Sequence, residues 1–281
     1  MILSCVKLVT LRLHWSAART GTHPDQPGET DLDAATTPFP STTRFARLEP
    51  CAVEAAGIVL CDLDGCLISE GRLFEETPAF VEACGDRLWV VSNRSDTTAA
   101  ALSSQMLELG LNIPFEHILL AGEFTLRRLA ELGLTRLSLC ATPTLKELAR
   151  ILGIDPESQA PESVLLCRDP CLTVDSMGQV LSVITDDIPL WVANEDLSHP
   201  SHDGRPVAET GALLAALRAI RPSLTWQCLG KPDPAMLTAA LSRADLPPGD
   251  AVFVGDNALT DGQAAAAAGI PFFHIQRNHL R

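Results

Sequence analysis

The chain has 281 residues and a formal net charge of -14 at pH 7, which argues against nucleic acid as a partner, because no basic face is available to neutralise a phosphate backbone. Its length suits two modest domains, and 46% apolar residues with only 5% aromatics suit an aliphatic core of sheet and helix. Nine cysteines, an odd number without a convincing secretory signal, point to free thiols in a reducing cytoplasm.

Residues 1–50 carry little signal and read as a disordered extension. The first twenty are apolar with Lys7, Arg12 and Arg19 interspersed and no acid, in the manner of a targeting peptide. Lys7 and Arg12 break the run too early for a signal core or a membrane span, so no membrane is expected as a partner. Residues 22–43 are rich in Pro, Thr, Asp and Gly and read as a linker. No internal repeat is present.

The first organised segment is the apolar run 57–61, short, continuous and soon followed by Gly65, which predicts a buried parallel strand. In an open α/β sheet the ligand crevice lies beyond the carboxyl ends of the strands, where Asp62 and Asp64 fall. Two residues apart on an extended chain, their side chains leave on one side. Asp62 suits attack on phosphorus, and Asp64 suits proton transfer to the leaving oxygen and from water. Alone, the motif reads equally well as a surface Asp-x-Asp-Gly turn.

The run 88–91 predicts a second strand, ending at Ser92 and Asn93 before a helix over 97–109. Ser92, Asn93 and the amides at a helix start could hold a phosphoryl oxygen; an ordinary helix cap would use the same residues. Lys231 sits in a Gly-Lys-Pro-Asp-Pro stretch, between a residue that allows close approach and one that stiffens the turn, as a point charge for phosphate. Residues 251–254 predict another buried strand, closed by Gly255, Asp256 and Asn257, with Asp261 four positions beyond Asn257.

If Asp62, Asp64, Asp256 and Asp261 converge, each close pair repels by about 4 kcal/mol at about 4 Å with an effective dielectric near 20. Lys231 supplies one compensating charge. A hard divalent cation on oxygen ligands supplies the rest, which favours Mg2+.

Between Ser92 and Lys231 the chain is longer than a sheet crossover needs, so a further α/β unit is inserted there. Its elements read as strands at 136–140, 163–167 and 190–193 and helices at 144–152 and 211–220. Residues 168–180, with Met177 and Gly178 between short apolar stretches, read as a hairpin or irregular loop. Arg94, Asn194 and Asp196, with Arg168 and Arg205, are the polar candidates for substrate recognition. Cys167, Cys171, His199 and His202 lack the paired spacing of a zinc site and read as packing and loop residues.

The ordered set of Asp62-x-Asp64, Ser92, Lys231 and Asp256 with Asp261 resembles the haloacid dehalogenase superfamily of phosphohydrolases. Asn194 to Asp196, followed by the helix start at Gly211 and Ala212, resembles the class II subtype A cap of 4-nitrophenyl phosphatases, nucleotide monophosphatases and phosphoglycolate phosphatases. The resemblance implies a doubly wound parallel α/β core over 51–132 and 227–281 and a smaller α/β cap over 133–226. It further implies Asp62 as nucleophile, Asp64 as general acid and base, and Ser92, Asn93 and Lys231 at the phosphate. Mg2+ would be held by Asp62, Asp256 and the Asp64 carbonyl, with Asn257 and Asp261 in support. The implied substrate is a small phosphorylated metabolite, hydrolysis being the plain reading beside phosphotransfer or non-catalytic ligand binding. Homo-oligomerisation through the cap is left open. Many relatives carry a last strand and helix after the strand read here at 272–275, so a shortened sheet edge is expected.

Overall fold

The computed structural model describes residues 42–201 and 205–277. Strand β1 (Thr42–Phe45) and a 3-10 turn at Pro50–Val53 lead into β2 (Ile58–Cys61), a small hairpin of β3 (Ile68–Ser69) and β4 (Arg72–Leu73), and helix α1 (Thr77–Cys84). Next come β5 (Leu88–Ser92), α2 (Ala99–Glu108), β6 (Ile118–Leu120) and α3 (Ala121–Glu131). The inserted region holds β7 (Leu137–Cys140), α4 (Pro143–Ile151), β8 (Ser163–Leu166), α5 (Val174–Val183), β9 (Leu190–Val192), the hairpin β10 (Ser198–Pro200) and β11 (Pro206–Ala208), α6 (Thr210–Ile220) and β12 (Trp226–Cys228). The chain returns through α7 (Ala235–Ala244), β13 (Ala251–Gly255), a π-helical turn at Ala258–Gly262, α8 (Gln263–Ala268) and β14 (Phe272–Ile275).

Two parallel sheets result. The larger has the order β1-β14-β13-β2-β5-β6 and the smaller β12-β9-β8-β7. Apart from the edge strands β1 and β12, their strands are mostly apolar runs because both faces are covered, and successive side chains divide between those faces. Ile58 and Leu60 of β2 face one hydrophobic cluster, Val59 and Cys61 another. The first cluster also receives Leu137, Leu139, Leu165 and Trp191 from the smaller sheet, so one continuous core joins core and cap. The outer face of the smaller sheet packs Val164, Leu166 and Val192 against Leu214 and Leu217 of α6.

Four expectations change. Residues 42–50 belong to the folded body: β1 pairs in parallel register with β14, Thr42 opposite Phe272 and Phe45 opposite Ile275, and Leu48 is buried. The rest of the expected extension, 1–41, lies outside the described residues, as does His202. The sheet edge beyond β14 is covered by β1 and is not left short. Residues 168–180 do not form a hairpin; α5 begins at Val174 under a reciprocal cap in which Thr173 Oγ1 accepts the Ser176 amide at 3.2 Å and Ser176 Oγ accepts the Thr173 amide at 2.7 Å. Finally, β12 belongs to the cap sheet, so the chain crosses back after Cys228 and not at 226.

Candidate active site

The carboxyl ends of β2, β5 and β13 meet in one crevice. Asp62 follows β2 directly, its amide donating to Val254 O of β13 at 2.8 Å, which fixes the first residue past the strand. The residue is 8% exposed, and its Oδ1 lies 2.7 Å from Lys231 Nζ. Burial pushes the Asp62 carboxyl well above the usual carboxylate range, against the pull of the Lys231 ammonium.

Lys231 binds Asp261 as well, Nζ to Oδ1 at 2.7 Å, and side-chain exposures of 2% and 1%, with 11% for Asp62, make this a largely buried triad. Desolvation alone would lower the lysine pKa; the charges of Asp261 and Asp62 outweigh it and hold the group above the ordinary lysine value. Local backbone makes the triad reachable. A Cβ on Gly230 would stand 2.4 Å from Ala193 O, and one on Gly255 2.4 Å from Asp261 Oδ2. Asp261 rides on the π-helical turn, a wider turn than an α-helical one and a recurrent device at functional sites. Its Oδ2 accepts the Asn257 amide at 3.1 Å, while Asn257 Oδ1 accepts the Leu259 amide at 2.9 Å and starts that turn.

Asp256 stands at the exposed rim with its carboxylate turned inward over Gly65. A Cβ at Gly65 would fall 2.0 Å from Asp256 Oδ2, and Gly65 also has φ +86, so only glycine leaves this cradle open. Desolvation first and the Asp261 charge second push Asp256 up to about 7. Carboxylate oxygens of Asp62 and Asp256 and the Cys66 sulfur lie within 4.8 Å of one another. The Cys66 thiol is driven well above its ordinary pKa by burial and stays protonated. The donors left for a cation are hard oxygens, a set that fits a hard divalent ion and not a soft one.

Ser92 ends β5 buried, its Oγ accepting the Arg94 amide at 3.2 Å so that its O–H remains a donor. It is not a helix cap; Thr98 caps α2. Asn93, expected at the phosphate, is committed elsewhere: Nδ2 donates to Lys231 O and to Asp196 Oδ2, both at 3.0 Å, and Oδ1 accepts the Lys231 amide at 2.8 Å. Asp64 is clamped by Arg94, Nε to Oδ2 and Nη2 to Oδ1, each 2.8 Å.

From the cap, Asn194 donates to Asn93 O at 2.7 Å and to Ser95 Oγ at 3.2 Å, and Asp196 meets Asn93. Burial raises the Asp196 pKa, against the lowering effect of the Asn93 hydrogen bond. Arg168 pairs with Asp96 at 2.7 Å and donates its amide to Ser95 Oγ at 3.0 Å, which makes it a joint between cap and core. Among the described residues the cysteine and histidine group does not assemble: Cys167 is buried, Cys171 exposed, and His199 pairs with Glu209 at 2.8 Å. Sequence reading missed Arg277, which donates to Gly65 O at 3.0 Å and Cys66 O at 2.8 Å and pairs with Glu76. It lies two residues past β14 in no motif, and only the long-range fold brings it under the Asp62 loop.

The sequence profile of the haloacid dehalogenase-like hydrolases matches residues 56–269. The dihydroxyacetone phosphatase of Corynebacterium glutamicum (strain R) is 26% identical over 215 residues, 75% of this chain and 78% of that protein. Among solved structures, 4-nitrophenylphosphatase from Thermotoga maritima has a TM-score of 0.74 at 22% identity, over 82% of this chain and 89% of that one. Glycerol phosphate phosphatase from Mycobacterium tuberculosis in complex with magnesium has a TM-score of 0.72 at 23% identity, over 79% and 68%. The structural likenesses cover core and cap together and establish the fold. With the profile spanning most of the chain and the charged triad at the ends of β2 and β13, the chain belongs to the haloacid dehalogenase-like hydrolase family.

Proposed function

We propose that the protein is a Mg2+-dependent phosphatase that hydrolyses a small phosphomonoester, of the size of the triose and glycerol phosphates named for its relatives, through an aspartyl phosphate on Asp62. The observation that carries this is the buried Asp62 carboxylate held by Oδ1 on Lys231 at the mouth of the strand-end crevice. That contact leaves Oδ2 to attack phosphorus as the ester P–O bond breaks. Asp64 gives the leaving oxygen a proton, then takes one from the water that attacks the phosphoenzyme, releasing phosphate and restoring Asp62. Ser92 O–H and Lys231 donate to the phosphoryl oxygens. When bound by Asp62, Asp256 and the Asp64 carbonyl, Mg2+ supplies positive charge against those oxygens during in-line transfer.

An irregular cap segment and a short sheet edge would have favoured a non-catalytic binding protein. The capped helix α5 and the strand-covered edge remove both motives. Among the described residues no helix is long and apolar enough to cross a membrane. The described cysteines are unpaired, which supports a reducing cytoplasm as the working compartment.

Phosphate release from 4-nitrophenyl phosphate, glycerol 3-phosphate and dihydroxyacetone phosphate, measured with and without Mg2+, tests this reading. Activity is expected to require Mg2+ and to fall by at least about 10^3-fold in Asp62→Asn. Undiminished release by that variant would remove Asp62 as the nucleophile.

A further inference from the structure

Arg94 is fixed in the crevice by its backbone as well as its side chain. Its amide donates to Ser92 Oγ at 3.2 Å, and its carbonyl accepts the Gly122 amide at 3.1 Å. The close approach there depends on Gly122, whose Cβ would lie 2.8 Å from Ser95 Cα. The side chain is 23% exposed, and its guanidinium grips both oxygens of Asp64, fork on fork. The neighbouring carboxylates already have partners: Asp96 pairs with Arg168, and Glu209 with Arg168 and His199.

The proton transfers assigned to Asp64 require one of its oxygens to turn toward the ester oxygen. One N–H of the fork then loses its acceptor in a largely buried site, which is costly for a charged donor. Asp64 faces the leaving group, so the replacement acceptor has to arrive on the leaving group. A planar fork selects carboxylate or phosphate over a hydroxyl. On a chain with a net charge of -14, an anionic substrate also needs such a local attractor.

We propose that Arg94 receives a second anionic group, a carboxylate or a second phosphate, carried by the leaving group within a few bonds of the ester oxygen. This makes Arg94 a specificity-determining residue and the substrate a phosphomonoester with an acidic leaving group. The proposal rests on the phosphatase reading and on Asp64 as its acid and base.

The test compares matched substrates on the Mg2+-loaded enzyme: 3-phosphoglycerate against glycerol 3-phosphate for a carboxylate, and ethylene glycol bisphosphate against ethylene glycol monophosphate for a second phosphate. In at least one pair the acidic member is expected to be preferred by at least about tenfold in kcat/KM. Arg94→Gln should collapse that ratio toward one, mainly through KM, and Arg94→Lys should restore part of it. A loss of activity shared equally by both members of each pair would mean that Arg94 serves only to hold Asp64, and would overturn the proposal. Wild-type turnover of both members at equal rates overturns it too while leaving the phosphatase reading intact. No release from any of the four alongside turnover of 4-nitrophenyl phosphate overturns the proposal alone, and no release from 4-nitrophenyl phosphate either overturns both.

Discussion

The two sheets direct the carboxyl ends of their strands at the same loop, 92–96, but bring it different chemistry. The larger sheet delivers charge: Asp62 after β2 and Asp261 beyond β13, two carboxylates around the Lys231 ammonium, with Asp256 after β13 within 4.8 Å of Asp62. The smaller sheet delivers mostly hydrogen bonds. Thr142 after β7 donates to Asp96 O at 2.8 Å, the Arg168 amide after β8 to Ser95 Oγ, and Asn194 after β9 to Asn93 O. Charge repulsion is tolerated at the proposed phosphoryl and cation site, while the joint between the sheets is made chiefly by satisfying buried backbone and hydroxyl groups.

Changes on the two sides should therefore fail in different ways. Lys231→Ala leaves Asp62 and Asp261 buried without their cation and should lower unfolding stability by about 3–5 kcal/mol. Urea unfolding measures this, and a loss below about 1 kcal/mol would show that the triad is solvated or relaxes freely. Asn194→Ala strips the Asn93 carbonyl of its donor at the joint. A cost of about 1–3 kcal/mol is expected, with Mg2+ affinity unchanged by calorimetry; weakened Mg2+ binding would mean that the joint and the charged site are coupled.

Gly65→Ala acts in the reverse sense. The added Cβ collides with the Asp256 carboxylate and should weaken Mg2+ binding by about tenfold, the lower end of what supporting residues contribute to metal sites. Titration calorimetry on the folded variant decides it, unchanged affinity removing Asp256 from the cation site. The smallest effect belongs to the cap alone. Thr173→Ala removes the side-chain cap of α5, should cost about 1 kcal/mol in urea unfolding, and should leave KM for 4-nitrophenyl phosphate untouched; a raised KM would bring α5 to the substrate.

Much of the site was legible because its residues sit at the ends of short apolar runs. Leu88–Ser92 and Ala251–Gly255 came out as strands within a residue of their sequence readings, and Asp62, Ser92 and Asp256 follow or end them. Helix α5 was not legible: Gly178 and several valines lower its helix propensity, and its reciprocal cap uses Ser176 where a Glu or Gln would have been the recognisable sign. Strand β1 was hidden by a Thr-rich composition and largely exposed side chains; its order comes from pairing with β14. The side-chain contacts of Asn93 were not legible, because they come from Lys231 and Asp196, more than a hundred residues away in sequence.

Short-range pattern is thus sufficient for most strands of both sheets, though not for β1, β6 or β12, and for the order of the charged motifs and the family, because an apolar run, a turn and a carboxylate are local facts that no distant contact need supply. Which oxygen Lys231 binds, what Arg94 grips, how Gly65 makes room for Asp256 and where Arg277 reaches were decided only on folding. Those are distances of about 3 Å between segments far apart in the chain, and hydrogen bonds and ion pairs are selected at that range.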